Sequence, residues 1–179
     1  GASSRWPSKA WSENKIKSLY YIDLSSVSRD NSSITNTKEI NYKNAPSRAK
    51  QIVKTHDVIF GTTRPTLMRV AIILSEFDDQ ICSTGFAVMR ANANLILPRF
   101  IYFFIKSRQF IDRMEKIQTG ASYPAVSDAK VFETKIPLPP IAEQKKIVAR
   151  LDALSAKVQA LRQAQTQTVS DFTALEQSV

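Results

Sequence analysis

Apolar positions along the chain fall into three rhythms. Up to about residue 91 they come in short, dense bursts: SLYYIDLSSVS (18–28), QIVKTHDVIFG (51–61), RVAIILS (69–75) and GFAVMRA (85–91). Runs of this length, rich in Val, Ile and Phe and separated by polar turn-formers such as DNSSITNTKEIN (30–41), predict β-strands. TTRPTLM would be a tight polar loop joining the second and third of them. From Pro98 to Ile117 the rhythm changes. Phe100, Ile101, Phe103, Phe104, Phe110, Ile111, Met114 and Ile117 recur at helical spacing, Pro98 suits a first turn and Gly120 lies just beyond the end, so one buried amphipathic helix is predicted over 98–117.

The third rhythm follows IPLPPIAEQKKIVARLDAL (136–154). Pro137, Pro139 and Pro140 can neither donate to a sheet nor continue a helix inward, so 137–141 predicts a stiff, extended exit from the preceding domain. Glu143 then suits the positive end of a helix dipole. Beyond it Ile147, Leu151, Leu154, Val158, Leu161, Gln165, Thr168, Phe172, Leu175 and Val179 are separated by alternating steps of four and three, a heptad seam. A helix over 142–179 would be about 54 Å long, more than a domain this size covers. A partner helix is implied, from a second copy or from a part of the native protein outside this sequence. An antiparallel pair with its two-fold axis between 166 and 167 would set Gln165 against Thr168 and Leu161 against Phe172.

Composition narrows the class. The chain has 179 residues and 43% hydrophobic content, enough for one core plus an appended element. Cys82 is the only cysteine, and no 18-residue apolar run or secretory segment is present, which makes a cytoplasmic, reducing setting the default. Gly1-Ala2-Ser3 reads as an expression scar and is left out of fold reasoning. Of the net charge of +9, residues 1–136 contribute +8 (20 basic, 12 acidic) and residues 137–179 only +1 (5 basic, 4 acidic). A basic surplus confined to the domain points to a polyanion such as nucleic acid.

IPLPPIAEQKKIVARLDAL closely resembles the segment that closes a target-recognition domain in the specificity subunits of type I restriction-modification enzymes. YIDLSSV (21–27), VKTHDVIFGTTRPTLMRVAII (53–73), STGFAVMR (83–90) and TGASYPAVSDAKV (119–131) resemble that family's other signposts, in order. Two positions depart from the pattern: His56 stands where a glycine belongs, and Gly61 where a small polar residue belongs. A full subunit of this kind has two recognition domains and two spacer helices, whereas this chain has one of each, like a half-subunit or a fragment. The resemblance implies an α/β (α+β) recognition domain over 4–136, with a twisted mixed sheet and packed helices, followed by a coiled-coil spacer. It also implies a role: reading one half of a bipartite double-stranded DNA target, with the helix fixing half-site separation and docking methyltransferase subunits. S-adenosylmethionine, ATP and Mg would then belong to the methyltransferase and restriction subunits, and this chain would bind no cofactor or metal.

The residues agree with a non-catalytic role. No Gly-rich phosphate loop, Cys-pair metal site or nucleophile elbow occurs. The lone His56 reads as a strand-end residue rather than a general base. Glu133-Thr134-Lys135 mimics the Glu-x-Lys of metal-dependent nucleases, but such a site needs a further acid, and the nearby acids are Asp128 and Asp112. For DNA, Arg64 and Arg69 carry the two-pronged donor that reads guanine edges, and Thr62, Thr63 and Thr66 can bond bases or phosphates. Lys43, Arg48, Lys50 and Lys54 suit phosphate neutralisation, and Ser122 and Tyr123, after Gly120, can also reach a groove. Each has a plain structural counterpart: a shaped turn at Arg64-Pro65, a solvated lysine face, a loop packing the exit. Two other functions fit the same sequence, the recognition domain of a single-chain restriction-methylation enzyme and a coiled-coil adaptor whose basic charge is incidental.

Overall fold

The computed structural model describes residues 18–41 and 43–177, the side chains of Ser170 and 172–177 excepted. Its strands are β1 (Leu19–Ile22), β2 (Lys38–Ile40), β3 (Ala49–Ile52), β4 (Val58–Gly61), β5 (Val70–Ile72), β6 (Ile81–Ser83) and β7 (Phe86–Met89). Its α-helices are α1 (Pro98–Ile105), α2 (Arg108–Ile117), α3 (Asp128–Phe132) and α4 (Ile141–Gln177).

The strands form two sheets. In one the order is β2-β1-β6-β3, with β1 and β6 parallel and the other pairs antiparallel; in the other the order is β5-β4-β7, all antiparallel. The unbroken apolar run of β4 follows from its place in the middle. Val58 and Phe60 join a core with Val70, Ala87 and the helix residues Tyr102, Ile105, Phe110 and Met114. Ile59 points the other way, into a core with Ala71, Phe86 and Val88 beside it and Ile22, Val27 and Cys82 across. A strand covered on both faces has no polar face to alternate with. The result is three layers: helices, the β5-β4-β7 sheet, and the mixed sheet. Burial pushes the Cys82 thiol well above its usual range, which leaves it inert.

Two predicted elements are divided. QIVKTHDVIFG is not one strand: the chain leaves the mixed sheet at Ile52, turns, and enters the other sheet at Val58. The turn is organised by Asp57, whose buried carboxylate accepts the Lys54 N–H (2.8 Å) and a two-pronged ion pair from Arg90 (2.8 and 2.7 Å). His56 adopts φ +71° there, the left-handed conformation that glycine takes without penalty. The family-like glycine missing at this position is therefore a conformational departure.

The helix predicted over 98–117 is two helices. Ser107 has extended backbone angles, and its Oγ accepts the Phe110 N–H at 3.3 Å, an N-cap that starts α2 afresh. Apolar spacing carries across the break because both helices pack on one sheet, Phe110 meeting Phe60 and Phe104 edge-on at 5.2 and 5.8 Å between ring centroids.

After Pro140 the chain enters α4, 37 residues long, with Glu143 in its first turn. Along the seam Ile147 and Leu151 are half-buried, while Leu154 (51%), Val158 and Leu161 (66%) are exposed, as are Gln165 and Thr168. Phe172 and Leu175 lie on α4, but their side chains, like Val179, are outside the described residues.

Candidate nucleic-acid interface

The end of the domain where β4 finishes is a knot of four chain segments. Thr84 N–H donates to Arg48 C=O (2.9 Å), Thr62 N–H to Gly85 C=O (2.8 Å), and Val126 N–H to Thr62 C=O (3.0 Å). Thr62 is buried, and its hydroxyl also donates to Gly85 C=O at 2.9 Å. From below, the buried Gln51 amide donates to Ser83 and Phe86 carbonyls at 2.9 and 2.8 Å, fixing the β6-β7 turn. Main-chain bonds of this density fix the backbone from which the exposed side chains emerge.

Two loops come together on its surface. Thr119 and Ala125 exchange N–H···O bonds of 2.9 Å, closing a loop in which Gly120 has φ +98°. A Cβ at Gly120 would lie 2.9 Å from Tyr123 O, so only glycine fits. Thr63 bridges Ala125, and Arg64 N–H donates to Pro124 C=O at 2.6 Å. The Arg64 guanidinium then lies 5.0 Å from the Tyr123 ring centroid, with Nη2 3.5 Å from Ser122 O. Tyr123 is 72% exposed and Arg64, Thr66 and Ser122 are exposed, so Arg64 and Tyr123, far apart in sequence, present one joint surface.

The other candidates are placed differently. Arg69 turns inward: its Nη1 donates to Leu24 and Val27 carbonyls at 2.6 and 2.9 Å, so one prong of the fork expected to read bases is tied to the fold. Gly61 leaves Arg69 room beside it: an added Cβ would come within 3.2 Å of Arg69 Cβ and 3.1 Å of Leu24 Cδ2, so both would have to yield by a few tenths of an ångström. The turn that receives Arg69 is built by Asp23, whose Oδ1 accepts the Ser25 and Ser26 N–H groups at 2.7 and 3.1 Å. Partial burial would raise the Asp23 carboxyl, but these bonds hold it below the usual carboxylate range. Lys54 sits in the turn before β4, at the far end of a strand about 13 Å long from Thr62. Its ammonium pairs with Asp79 (2.6 Å) and approaches Asp78 (3.8 Å), and the bond to Asp79 raises its pKa. Two carboxylates thus meet the charge assigned to phosphate. Lys50 is exposed on the edge strand β3, Lys43 in a turn capped by Asn41, and Arg48 at the knot itself.

Asp112, Glu133 and Lys135 do line one groove, between α2 and the segment leading to the exit. Asp112 is held by Arg108 at 2.7 Å, and among the described residues no three His, Cys, Asp or Glu side chains gather as a metal site.

Sequence reasoning overlooked Gln144. Fully buried in the first turn of α4, its Oε1 accepts the Leu97 N–H (2.9 Å) and its Nε2 donates to Leu95 and Pro139 carbonyls (2.9 and 2.8 Å). Further along, Asp152 pairs with Arg99 of α1 (2.7 Å), and Arg162 reaches Asp30 C=O (3.4 Å).

Fold and site together define an α+β module carried on a long helix, and no helix among the described residues is long and apolar enough to cross a membrane. Residues 3–170 match the type I restriction modification DNA specificity domain, and the chain belongs to that family. It is similar to the HindI specificity subunit of Haemophilus influenzae, 25% identical over 161 residues, covering 89% of this chain and 35% of that protein. The EcoKI specificity subunit of Escherichia coli is 36% identical over 78 residues, 43% of this chain and 17% of that one. Among solved structures, the HsdS subunit of Thermoanaerobacter tengcongensis superposes with a TM-score of 0.83 at 36% identity, over 98% of this chain and 44% of its own. A chain from a type I R-M system, solved to explain complex assembly and conformational transition, gives 0.85 at 37% identity over 96% and 43%. The chain therefore spans less than half the length of these relatives.

Proposed function

We propose that the chain is the recognition module of a type I restriction-modification specificity subunit, reading one half of a bipartite double-stranded DNA target without catalysis. It works in the cytoplasm within a complex whose methyltransferase subunits bring S-adenosylmethionine and whose restriction subunit brings ATP and Mg. The domain is residues 4–136, 137–141 the strut, and 142–179 the spacer helix. The observation that carries the reading is the knotted tip: Arg48, Arg64, Thr66 and Tyr123 emerge from a main-chain scaffold too constrained to need ordering on contact. Two forked donors suit guanine edges or phosphates, and an exposed ring over one of them suits a groove wall. Selection from random duplexes, followed by salt titration, tests it. A specific half-site whose affinity falls steeply with salt is expected; equal binding to all duplexes, or none, would refute it.

The helix has a second role. At 100° per residue, Gln144, Asp152 and Arg162 share one face, and the seam through Leu154, Val158 and Leu161 lies about 90° away. The chain's own domain takes the start of the seam, where Ile147 and Leu151 are half-buried, and leaves it exposed from Leu154 onward for a partner helix, which we read as self-association, antiparallel about 166/167. Parallel pairing would crowd two domains at one end. Cysteines at 161 and 172 in a Cys82→Ser background should cross-link between chains, and a monomer at tens of micromolar in sedimentation would refute it.

A further inference from the structure

We infer that Gln144 is a positioning residue: with the Asp152–Arg99 pair it fixes the rotational phase of the recognition domain on its helix, and through that phase the half-site spacing the protein accepts. The inference rests on the proposed DNA reading and on the proposed antiparallel self-association, which supplies the second domain. A single contact between helix and domain would leave a hinge, and the main chain of the exit strut, with Pro140 C=O accepting from Glu143 and Gln144, is bonded to the first turn of its own helix, which ties strut to helix and not helix to domain. Gln144 supplies the stop. Its amide bonds three main-chain groups from two segments, Leu95 and Leu97 just before α1 and Pro139 of the strut, and water has no access to replace them. Eight residues on, about 12 Å along the helix, Asp152 meets Arg99, whose guanidinium is itself held over the Tyr102 and Phe103 rings at 5.0 and 5.2 Å. Two anchors on one helix face define an orientation where one defines only a position. Spacing depends on orientation because each added base pair moves a half-site by about 3.4 Å and turns it by about 35°. A domain locked in phase meets one spacer; a domain free to swivel meets several.

The experiment measures affinity of the full chain for duplexes in which the selected half-sites are separated by spacers varied one base pair at a time, alongside a duplex bearing a single half-site. The wild-type chain should prefer one spacer over its neighbours by about tenfold or more. Gln144→Glu keeps the size and the acceptor but turns the donor into a carboxylate oxygen facing two carbonyls. It should hold single half-site affinity and base preference within about twofold while spacer preference falls to about threefold or less. Asp152→Ala, at a partly exposed position outside the core, should relax the preference in the same direction, and it decides the matter if circular dichroism shows the Gln144 variant unfolded. Variants that keep the tenfold spacer preference, or a wild-type chain with base preference and no spacer optimum, would overturn the inference while leaving the DNA reading intact. A wild-type chain with no base preference on any duplex would overturn the DNA reading itself, and the inference with it.

Discussion

Replacing Arg64 or Tyr123 separates base readout from scaffold. With the guanidinium 5.0 Å from the ring centroid and Tyr123 72% exposed, their attraction in the free protein is that of a surface cation–π pair, about 0.5–1 kcal/mol. The Nη2···Ser122 O distance of 3.5 Å is at the limit of a hydrogen bond and adds little. The Arg64 backbone stays tied to Pro124 whatever its side chain, so Arg64→Ala should leave folding stability within about 1 kcal/mol of the wild type. On the selected duplex the same change should cost about 1–3 kcal/mol, some 5- to 150-fold, and relax discrimination at one position. Tyr123→Ala, which removes the ring that aligns the guanidinium, should cost about 0.5–1 kcal/mol, and Tyr123→Phe, which keeps the ring, close to nothing. A double-mutant cycle by competition anisotropy, at two salt concentrations, gives the coupling. Arg64→Ala should leave the salt slope nearly unchanged, whereas Lys50→Ala, at a proposed phosphate contact, should lower it by about 0.9 without changing base preference. Unchanged affinity and preference in Arg64→Ala would refute base readout by Arg64. Equal losses in Tyr123→Phe and Tyr123→Ala would show that the hydroxyl, and not the ring, carries the effect.

Arg69→Ala should destabilise the fold by about 2–3 kcal/mol, because it strips two carbonyls of a charged donor, yet leave base preference unaltered; urea unfolding and the selected duplex check both halves. His56→Gly should raise stability by about 0.5–1 kcal/mol, the relief of a left-handed non-glycine residue less the entropy glycine adds to the unfolded chain, read from the urea midpoint. The Asp23 carboxyl is held below its usual range despite partial burial, and that of Asp78 by hydrogen bonds from Thr55. Groups with lowered folded-state values contribute stability that is complete above about pH 4 and lost as pH falls through those values. The urea midpoint should therefore drop between pH 5 and pH 2, and less so in Asp23→Ala.

Much of the fold was legible because burial writes itself into periodicity. The bursts that became β4, β5 and β7 are dense because that sheet is covered on both faces, and the α4 heptad runs on past the domain, where Leu154, Val158 and Leu161 stand exposed. The errors have equally local causes. Ser107 carried the sign of an N-cap, a small hydroxyl residue in a polar Lys-Ser-Arg step, but the apolar spacing continued in phase across it and hid the break. In QIVKTHDVIFG the two-sheet turn was masked by apolar residues on either side, although Asp57, an acid inside a hydrophobic run, marked a buried partner that had to come from elsewhere. Gln144 had no signal at all: an amide in a helix's first turn looks solvated until the strut folds back against it.

The structure gathers some of the candidate binding residues at one tip and turns others into the scaffold, and the reason bears on the proposed function. The segments resembling the family's signposts turn out to grip one another. Asp23 and Ser26 of YIDLSSV shape the turn that receives Arg69, Thr62 joins the Gly85 turn to the 119–126 loop, and Gln144 of the exit segment holds Leu95 and Leu97. Residues with such partners cannot vary with the DNA sequence read, because changing them costs the scaffold. On the proposed reading specificity lies in side chains that the knot presents but does not use, and the two loop tips present four of them, Arg64 and Thr66 on one and Ser122 and Tyr123 on the other. Exchanging those four positions, with Thr62, Arg69 and Gly120 untouched, should alter the selected half-site in a protein as stable as the original. The converse exchange, buried partners altered and tips retained, should lower the urea midpoint while the folded fraction selects the same half-site.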